Sequence, residues 1–239
     1  EPKRKLQAQN FVLLPRFEQE ETEMAGYMVC WPQDRWKQVK KAGDTGPIKV
    51  IYGSIHARMP TIASIKVGDV VFVVTYMQKH LYAVARLPVT HREAAFDYTM
   101  RELGTHHSAL PPKGVVMEMR YAQGGTFFSS WDCKSYNCRE AVPEGLTVIP
   151  LSEQIEKPHL EHQNPFNCCS QWAVWGEEGS SIEPRQLPDE VLPDLRFGYP
   201  KSKEKPLKFT PNGSVLSSSL TATRRMSQET FAIFEGLFS

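Results

Sequence analysis

Short apolar runs separated by turn residues between positions 26 and 88 constrain the fold of this chain more than any other feature. The segment 27–31 has the length and apolar content of a strand. A second apolar run, 70–75, and a third, 81–87, lie on either side of a polar turn at 78–80. Short strands joined by tight turns predict a compact, sheet-rich unit that begins as a small β-barrel.

Residues with helical spacing follow the first predicted strand and recur later in the chain. Asp34 stands where a side chain caps a helix, and Trp36 and Val39 follow at helical intervals. The segment 91–103 is rich in residues compatible with a helix, and 227–238 predicts an amphipathic helix. The cap and apolar stripe of this last helix are Ser227, Phe231, Phe234, Leu237 and Phe238. Strands and helices together predict an α+β fold.

The rest of the sequence is less regular. Alternating apolar residues at 115–121 and the run at 126–128 predict two more strands, and 171–175 predicts a compact aromatic strand. The expected organisation is an N-terminal arm or edge strand at 1–25 and a single domain at 26–239 with an insertion at about 96–171.

The overall charge limits how this chain can bind nucleic acid. It has 28 Lys and Arg against 27 Asp and Glu, which gives a formal net charge of +1. Any nucleic-acid binding must therefore depend on a local basic patch or a shaped pocket. No apolar run approaches the length of about 20 residues that spans a bilayer, and residues 1–5 do not resemble a signal peptide. We expect no membrane partner.

The five cysteines favour a reducing environment. They are Cys30, Cys133, Cys138, Cys168 and Cys169. Their number is odd, two of them are adjacent, and the chain is long enough to bury a core without disulfides. We therefore expect an intracellular protein, with the choice between cytoplasm and nucleus left open.

Some of these cysteines also form a possible zinc-binding set. Thiolates and imidazoles are the ligands that zinc prefers, so the candidate ligands are Cys133, Cys138, His162 and Cys168. The four-residue gap between the first two is wide, and the second half lacks a clean pair. We therefore expect no cofactor, with zinc as the alternative.

Several residues near the start of the predicted domain follow the pattern of a known family. They are Trp31, Pro32, Trp36, Tyr52, Gly53, Gly68, Asp69 and Tyr76. In their order and spacing, residues 26–90 resemble the EVE branch of the PUA-like superfamily, which is related to the YTH readers. The resemblance implies a mixed β-barrel of PUA-like type with flanking helices. The insertion makes this chain longer than a minimal EVE domain.

The resemblance also implies a non-catalytic nucleic-acid reader. Such domains hold a single base, often a modified one, in an aromatic cage, where flat rings stack on the base and fixed polar groups contact its edge. The expected base-binding residues are Cys30, Trp31, Tyr52, Gly53, Ser54, Tyr76, Trp131 and Trp172. Any one of these rings can equally be part of an ordinary core, so the prediction depends on the set.

Basic residues near the expected cage are candidates for phosphate contacts. They are Lys49, His56, Arg58, Lys79 and His80. As a set they would supply a modest, salt-sensitive attraction for a flipped or single-stranded nucleotide. The expected partner is DNA or RNA that carries a modified base. A nuclease or motor subunit is a further expected partner, as in modification-dependent restriction.

Two other functions fit the same sequence. An aromatic groove could bind a peptide, which would make the protein an interaction or scaffold module. Carboxylates near a lysine, such as Glu118, Asp132 and Lys134, could instead belong to a metal-dependent nuclease. The sequence has no Gly-rich phosphate loop, no His-Glu-x-x-His motif and no Gly-x-Ser-x-Gly motif. We therefore expect no catalytic activity in this chain.

Overall fold

The fold is described from a computed structural model of the 239-residue chain. The described residues are 24–54, 62–103, 111, 113–120, 126–130, 142, 144–150, 170–199, 202–221 and 223–239. The strands in chain order are β1 (Gly26–Cys30), β2 (Val50–Ser54), β3 (Val70–Met77), β4 (His80–Pro88), β5 (His91–Ala94), β6 (Val115–Arg120), β7 (Thr126–Ser130), β8 (Thr147–Ile149), β9 (Ser170–Trp175), β10 (Arg185–Gln186), β11 (Arg196–Gly198), β12 (Lys205–Pro206) and β13 (Arg224–Met226). The α-helices are α1 (Gln33–Ala42), α2 (Ala95–Leu103) and α3 (Gln228–Gly236), and short 3₁₀ helices cover Asp189–Asp194 and Ser217–Ser219.

The largest sheet has seven strands in the order β10-β4-β3-β1-β13-β11-β12. β3 and β4 form an antiparallel hairpin in which Met77 pairs with His80 across the predicted turn. β1 runs parallel to β3, with Tyr27 beside Val71, and antiparallel to β13. A parallel pair requires a crossover connection, and here the crossover contains α1 and β2. Because β1 pairs with both β3 and β13, it lies inside the sheet with a neighbour on each side.

Both faces of this sheet are buried, which explains the uninterrupted apolar run in β3. Val71 and Val73 belong to the core on one face, whereas Val70, Phe72 and Val74 belong to the core on the other. Successive side chains of a strand point to opposite faces, so a strand covered on both faces is apolar at every position. The predicted strands at 27–31, 70–75 and 81–87 are confirmed as parts of this sheet.

We name the two cores after the helix that packs on each face. The α1 core includes Trp31, Trp36, Val39, Ile48, Ile51, Ile62, Val84, Val174 and Ile182. The α3 core includes Met28, Leu81, Leu187, Phe197, Leu207, Val215, Leu220 and Phe234. Each core therefore combines residues from distant parts of the sequence.

Two further sheets have three strands each, in the orders β2-β9-β5 and β7-β6-β8. The predicted aromatic strand at 171–175 is confirmed as β9, which pairs antiparallel with both β2 and β5. The strands predicted at 115–121 and 126–128 are confirmed as β6 and β7, which pair with each other. A third group of buried residues lies on the first of these sheets. This β9 cluster contains Val50, Tyr52, Ala95, Tyr98 and Ala173.

The helices agree with the sequence prediction at the end of the chain and differ from it elsewhere. Ser227 caps α3 as predicted, because its Oγ accepts a hydrogen bond of 3.3 Å from the main-chain nitrogen of Thr230. The predicted helix over 91–103 is correct only from Ala95 onward. The first four residues instead form β5, because pairing with β9 outweighs their local helix preference.

The predicted cap of α1 is wrong. The helix begins at Gln33 directly after Pro32, with no side chain capping its first turn. Asp34 lies one residue inside the helix, where its exposed carboxylate is 3.5 Å from Lys37 Nζ. A carboxylate in the first turn still interacts favourably with the helix dipole, so Asp34 supports the same end of the helix in a different way.

The described residues form a mixed α/β structure with a sheet-rich core and few helices. The α+β prediction is confirmed at this level. The pairings among the described strands leave three separate sheets and do not show a closed barrel. In the described part of the chain, no helix is long and apolar enough to cross a membrane.

Candidate nucleic-acid interface

Two of the aromatic residues expected in the base cage are buried in different clusters. Trp31 is 3% exposed and lies in the α1 core, where its main-chain nitrogen donates to the oxygen of Val74 at 2.8 Å. Tyr52 is 6% exposed and lies in the β9 cluster, where its ring meets that of Tyr98 edge to face. The structure therefore does not bring Trp31 and Tyr52 together on one open surface.

Cys30 and Tyr76 lie on the opposite face from Trp31 and pack against the α3 core. The Tyr76 hydroxyl accepts a hydrogen bond of 3.1 Å from the main-chain nitrogen of Val215, which ties the end of β3 to the C-terminal part of the chain. Burial raises the pKa of the Cys30 thiol to about 12, so the thiol stays protonated at neutral pH. Both side chains are therefore engaged with the core.

Gly53, Ser54 and Trp172 belong to the β2–β9 pair. Gly53 lies opposite Trp172, and Ser54 lies opposite Ser170. A Cβ atom on Gly53 would lie only 2.7 Å from the main-chain nitrogen of Ile62, so a glycine is required for this close approach of two chain segments. Trp172 is half-buried, and the guanidinium carbon of Arg92 lies 4.3 Å from the centre of its ring. This cation–π contact occupies one side of the indole.

The expected phosphate-binding residues that the structure describes differ in their exposure. Lys49 and Lys79 are exposed. His80 is half-buried, and its Nδ1 lies 3.0 Å from an oxygen of Asp189 and 3.1 Å from Gln186 Nε2.

His56, Arg58 and Trp131 lie outside the described residues, as do the candidate zinc ligands Cys133, Cys138, His162 and Cys168. Within the described ranges, no group of three or more His, Cys, Asp or Glu side chains could hold a metal ion.

A cleft of about 370 Å³ opens between α1 and the turn that joins β3 to β4, and we call it the hairpin pocket. It is lined by Gln33, Trp36, Lys37, Lys40, Met77, Gln78, Tyr82 and Pro184. Its volume lies within the range of about 300–1,000 Å³ that is usual for small-ligand sites. Two aromatic and two other apolar side chains supply walls, two amides supply donors and acceptors, and two lysines supply positive charge.

One of these amides belongs to a residue with strained backbone. Gln78 and Lys79 are the two central residues of the β3–β4 turn, and their φ angles are +50° and +70°. Left-handed backbone at both positions is typical of a type I′ turn, which usually contains Asn and Gly. Two non-glycine residues in this region cost about 1–2 kcal/mol each. Strained residues of this kind concentrate at functional sites.

A second lining residue is held by a hydrogen bond. Gln33 Nε2 donates to the main-chain oxygen of Tyr76 at 3.0 Å, so the first residue of α1 is joined to the end of β3. Tyr76 itself is not a lining residue of the hairpin pocket, although its main-chain oxygen holds one. The lining residues Gln33, Gln78 and Tyr82 were missed as site candidates. Gln78 could have been noticed in the sequence, because a two-residue hairpin turn without Asn or Gly predicts a strained backbone.

A second cleft, of about 540 Å³, lies at the other end of the seven-stranded sheet, beside β11 and β12. Its charged lining residues are Lys203, Lys205, Lys208 and Arg224. The exposed ring of Tyr199 also lines it, as do Ser202, Ser218 and Ser219. We call it the basic cleft. Among the described residues, none of those expected in the base cage lines the hairpin pocket or the basic cleft.

The sequence of this chain matches no protein-family model, and comparison with curated proteins and with solved structures gives no significant match.

Proposed function

We propose that this protein is a non-catalytic nucleic-acid reader that holds one base in the hairpin pocket. The observation that carries the proposal is the composition of that pocket, in which the half-buried ring of Tyr82 lies beside the amides of Gln33 and Gln78. Trp36 also lines the pocket, but it is only 6% exposed, so Tyr82 is the ring on which we expect a base to stack. In fold, we propose an EVE-type domain of the PUA-like superfamily with an insertion. The pocket adjoins β3 and α1, the elements that carry the resemblance to that family.

The chemistry of the lining residues favours a base as the ligand. A base presents a flat face that stacks on an aromatic ring and an edge with a fixed pattern of donors and acceptors. A side-chain amide offers both a donor and an acceptor, so it can contact either kind of group on that edge. Lys37 and Lys40 are exposed on the same side of α1 and can contact the phosphates next to the base.

The pocket proposal changes the roles of the expected cage residues. Trp31 and Trp36 belong to the same buried core, so the role we propose for Trp31 is to stabilise the core to which the lining residue Trp36 belongs. Tyr76 holds Gln33 through its main-chain oxygen. We propose a modified base in DNA or RNA as the ligand, and a nuclease or motor subunit as the partner of this specificity module.

The test compares two substitutions at the same aromatic residue. The probes are labelled oligonucleotides with one 5-methylcytosine or one N6-methyladenine, each beside its unmodified counterpart, and binding is measured by fluorescence anisotropy. Stacking on one ring contributes about 1–3 kcal/mol, so Tyr82→Ala should weaken binding of the preferred probe roughly fivefold or more. Tyr82→Phe retains the ring and should retain most of the affinity.

Two outcomes would overturn the proposal. The first is a folded Tyr82→Ala protein that binds every probe as the wild type does. The second is cleavage of the oligonucleotide by the wild-type protein in magnesium, which would favour the nuclease alternative. The thermal unfolding temperature of each variant shows whether it is folded.

A further inference from the structure

We propose that the basic cleft is a second nucleic-acid contact, which binds the sugar–phosphate backbone of a single strand and stacks one base on Tyr199. The inference rests on the proposed function only for the class of ligand, because no described lining residue is common to the cleft and the hairpin pocket. It adds a binding surface that neither the apolar pattern nor the family resemblance indicated.

Charge segregation is the first argument. All four charged residues among the described lining of the cleft are cationic, although the chain as a whole carries a formal net charge of only +1. The acidic residue in the middle of this segment, Glu204, lies between Lys203 and Lys205 in sequence but points elsewhere. Its carboxylate pairs with Arg225, which is not a lining residue. A cleft whose described charged lining residues are all cations favours a polyanion such as a nucleic-acid strand.

The position of Arg224 is the second argument. Its Nε donates to the main-chain oxygen of Thr221 at 3.1 Å, and one terminal nitrogen donates to the oxygen of Ser218 at 3.0 Å. The guanidinium is therefore held by two main-chain oxygens, and neither of these contacts neutralises its charge. A guanidinium held in this way loses little conformational freedom when it binds a phosphate.

The exposed ring of Tyr199 is the third argument. Its side chain is 51% exposed, which is unusual for a large aromatic residue. The guanidinium carbon of Arg224 lies 4.0 Å from the centre of this ring, so a cation–π contact on one side of the ring holds Tyr199 next to a phosphate-binding cation. Aromatic rings beside cationic grooves are the means by which proteins bind single strands without sequence preference.

The experiment uses the whole chain and unmodified oligothymidylate of about 20 nucleotides, which is longer than a typical single-strand site. The affinity is measured at a series of salt concentrations. Each phosphate contact on a single strand contributes a slope of about −0.7 in log K against log salt. The double variant Lys205→Gln and Lys208→Gln should therefore reduce the slope by up to about 1.4. Lys66→Gln, at an exposed lysine outside both clefts, is the matched control and should leave the slope unchanged.

Tyr199 is tested separately. Tyr199→Ala should weaken oligothymidylate binding roughly fivefold or more, whereas Tyr199→Phe should retain the stacking contribution. Because the cleft contacts no particular base, both variants should retain the wild-type ratio of affinities for modified and unmodified probes. The proposed function is tested separately by Tyr82→Ala, which should reduce the ratio of affinities for modified and unmodified probes. The two proposals can therefore fail independently.

The inference is overturned if the lysine double variant binds oligothymidylate with the wild-type affinity and salt slope. It is also overturned if this variant retains oligonucleotide binding but loses binding to phosphatidylserine vesicles, since the cleft would then bind a lipid surface.

Discussion

The side-chain nitrogen of Gln33 donates a hydrogen bond of 3.0 Å to the main-chain oxygen of Tyr76. This bond joins the first residue of α1 to the end of β3, next to the strained turn at Gln78 and Lys79. Two elements that form opposite sides of the hairpin pocket are thereby held at a fixed separation. Because the bond is exposed to solvent, it contributes little to global stability, and we expect its main effect to be on ligand binding.

Replacement of Gln33 should affect binding more than stability. We expect Gln33→Ala to weaken binding of the preferred oligonucleotide by about 1 kcal/mol, which is the typical contribution of one hydrogen bond. Fluorescence anisotropy measures the affinity. The control is Gln38→Ala, because Gln38 is exposed on the same helix and does not line the pocket. Equal losses in the two variants would contradict a specific role for Gln33.

Relief of the strain in the β3–β4 turn should stabilise the protein. Lys79 has a φ of +70°, which glycine adopts without a steric cost. We expect Lys79→Gly to raise the free energy of unfolding by about 0.5–1 kcal/mol after the larger entropy of glycine in the unfolded chain is included. Urea unfolding measures the change. Lys66→Gly, at an exposed lysine outside the left-handed region, should instead be destabilising. A destabilised Lys79→Gly variant would show that the turn is not strained.

The close approach of Ile62 to Gly53 predicts a large effect of one added methyl group. A Cβ at position 53 would lie 2.7 Å from the main-chain nitrogen of Ile62, so Gly53→Ala should destabilise the fold by about 1–3 kcal/mol. Gly236→Ala is the control, because nothing lies within 4 Å of its added Cβ. Thermal unfolding of both variants checks the prediction. A neutral Gly53→Ala substitution would argue against this packing.

The partly buried thiol of Cys30 should resist alkylation. Its pKa is raised from 9.0 to about 12 by burial, and the thiolate is the reactive form. At pH 8 we expect iodoacetamide to modify Cys30 slowly in the folded protein and rapidly in urea, as followed by mass spectrometry of its peptide. The raised pKa also favours the folded state below about pH 9, and this contribution is lost as the pH rises toward 12. Rapid modification of the folded protein would contradict the burial of Cys30.

The carboxylate of Glu93 should stabilise the β5–β9 sheet in a pH-dependent way. It accepts hydrogen bonds from Arg101 at 2.7 and 2.8 Å and from Trp175 Nε1 at 2.6 Å. The hydrogen bonds from Arg101, and secondarily the one from Trp175, lower the pKa of Glu93. Because Arg101 is about half exposed, we expect Glu93→Gln to lower the free energy of unfolding by only about 1 kcal/mol at pH 7.

The sign of the pH dependence follows from the lowered pKa. The contribution of Glu93 is present above pH 4.5, the ordinary pKa of a glutamate, and is lost as the pH falls through the lower folded-state pKa. The difference in the free energy of unfolding between wild type and Glu93→Gln, measured by urea unfolding, should therefore become smaller at acidic pH. Glu102→Gln, at a more exposed partner of Arg101, should have a smaller effect. A difference that stays constant with pH would contradict the role of the Glu93 charge.

Elements with strong local patterns could be predicted from the sequence. The apolar run at 70–75 identified β3, and the aromatic run at 171–175 identified β9. Ser227 identified the start of α3, because a capping hydroxyl acts on the backbone only three residues away. In each case the interaction that determines the element lies within a few residues of it, so the linear sequence contains the relevant information.

The site depended on contacts between distant residues, which the sequence did not determine. Trp31 and Tyr52 both look like cage residues, but the strand faces and pairing partners place them in separate buried clusters. The basic cleft combines Tyr199, Lys208 and Arg224 from separate turns and strands around the end of one sheet. The segment 91–94 became a strand because β9, about 80 residues later, supplies its hydrogen bonds. Burial and charge at a surface depend on which segments meet, and only the tertiary structure decides that.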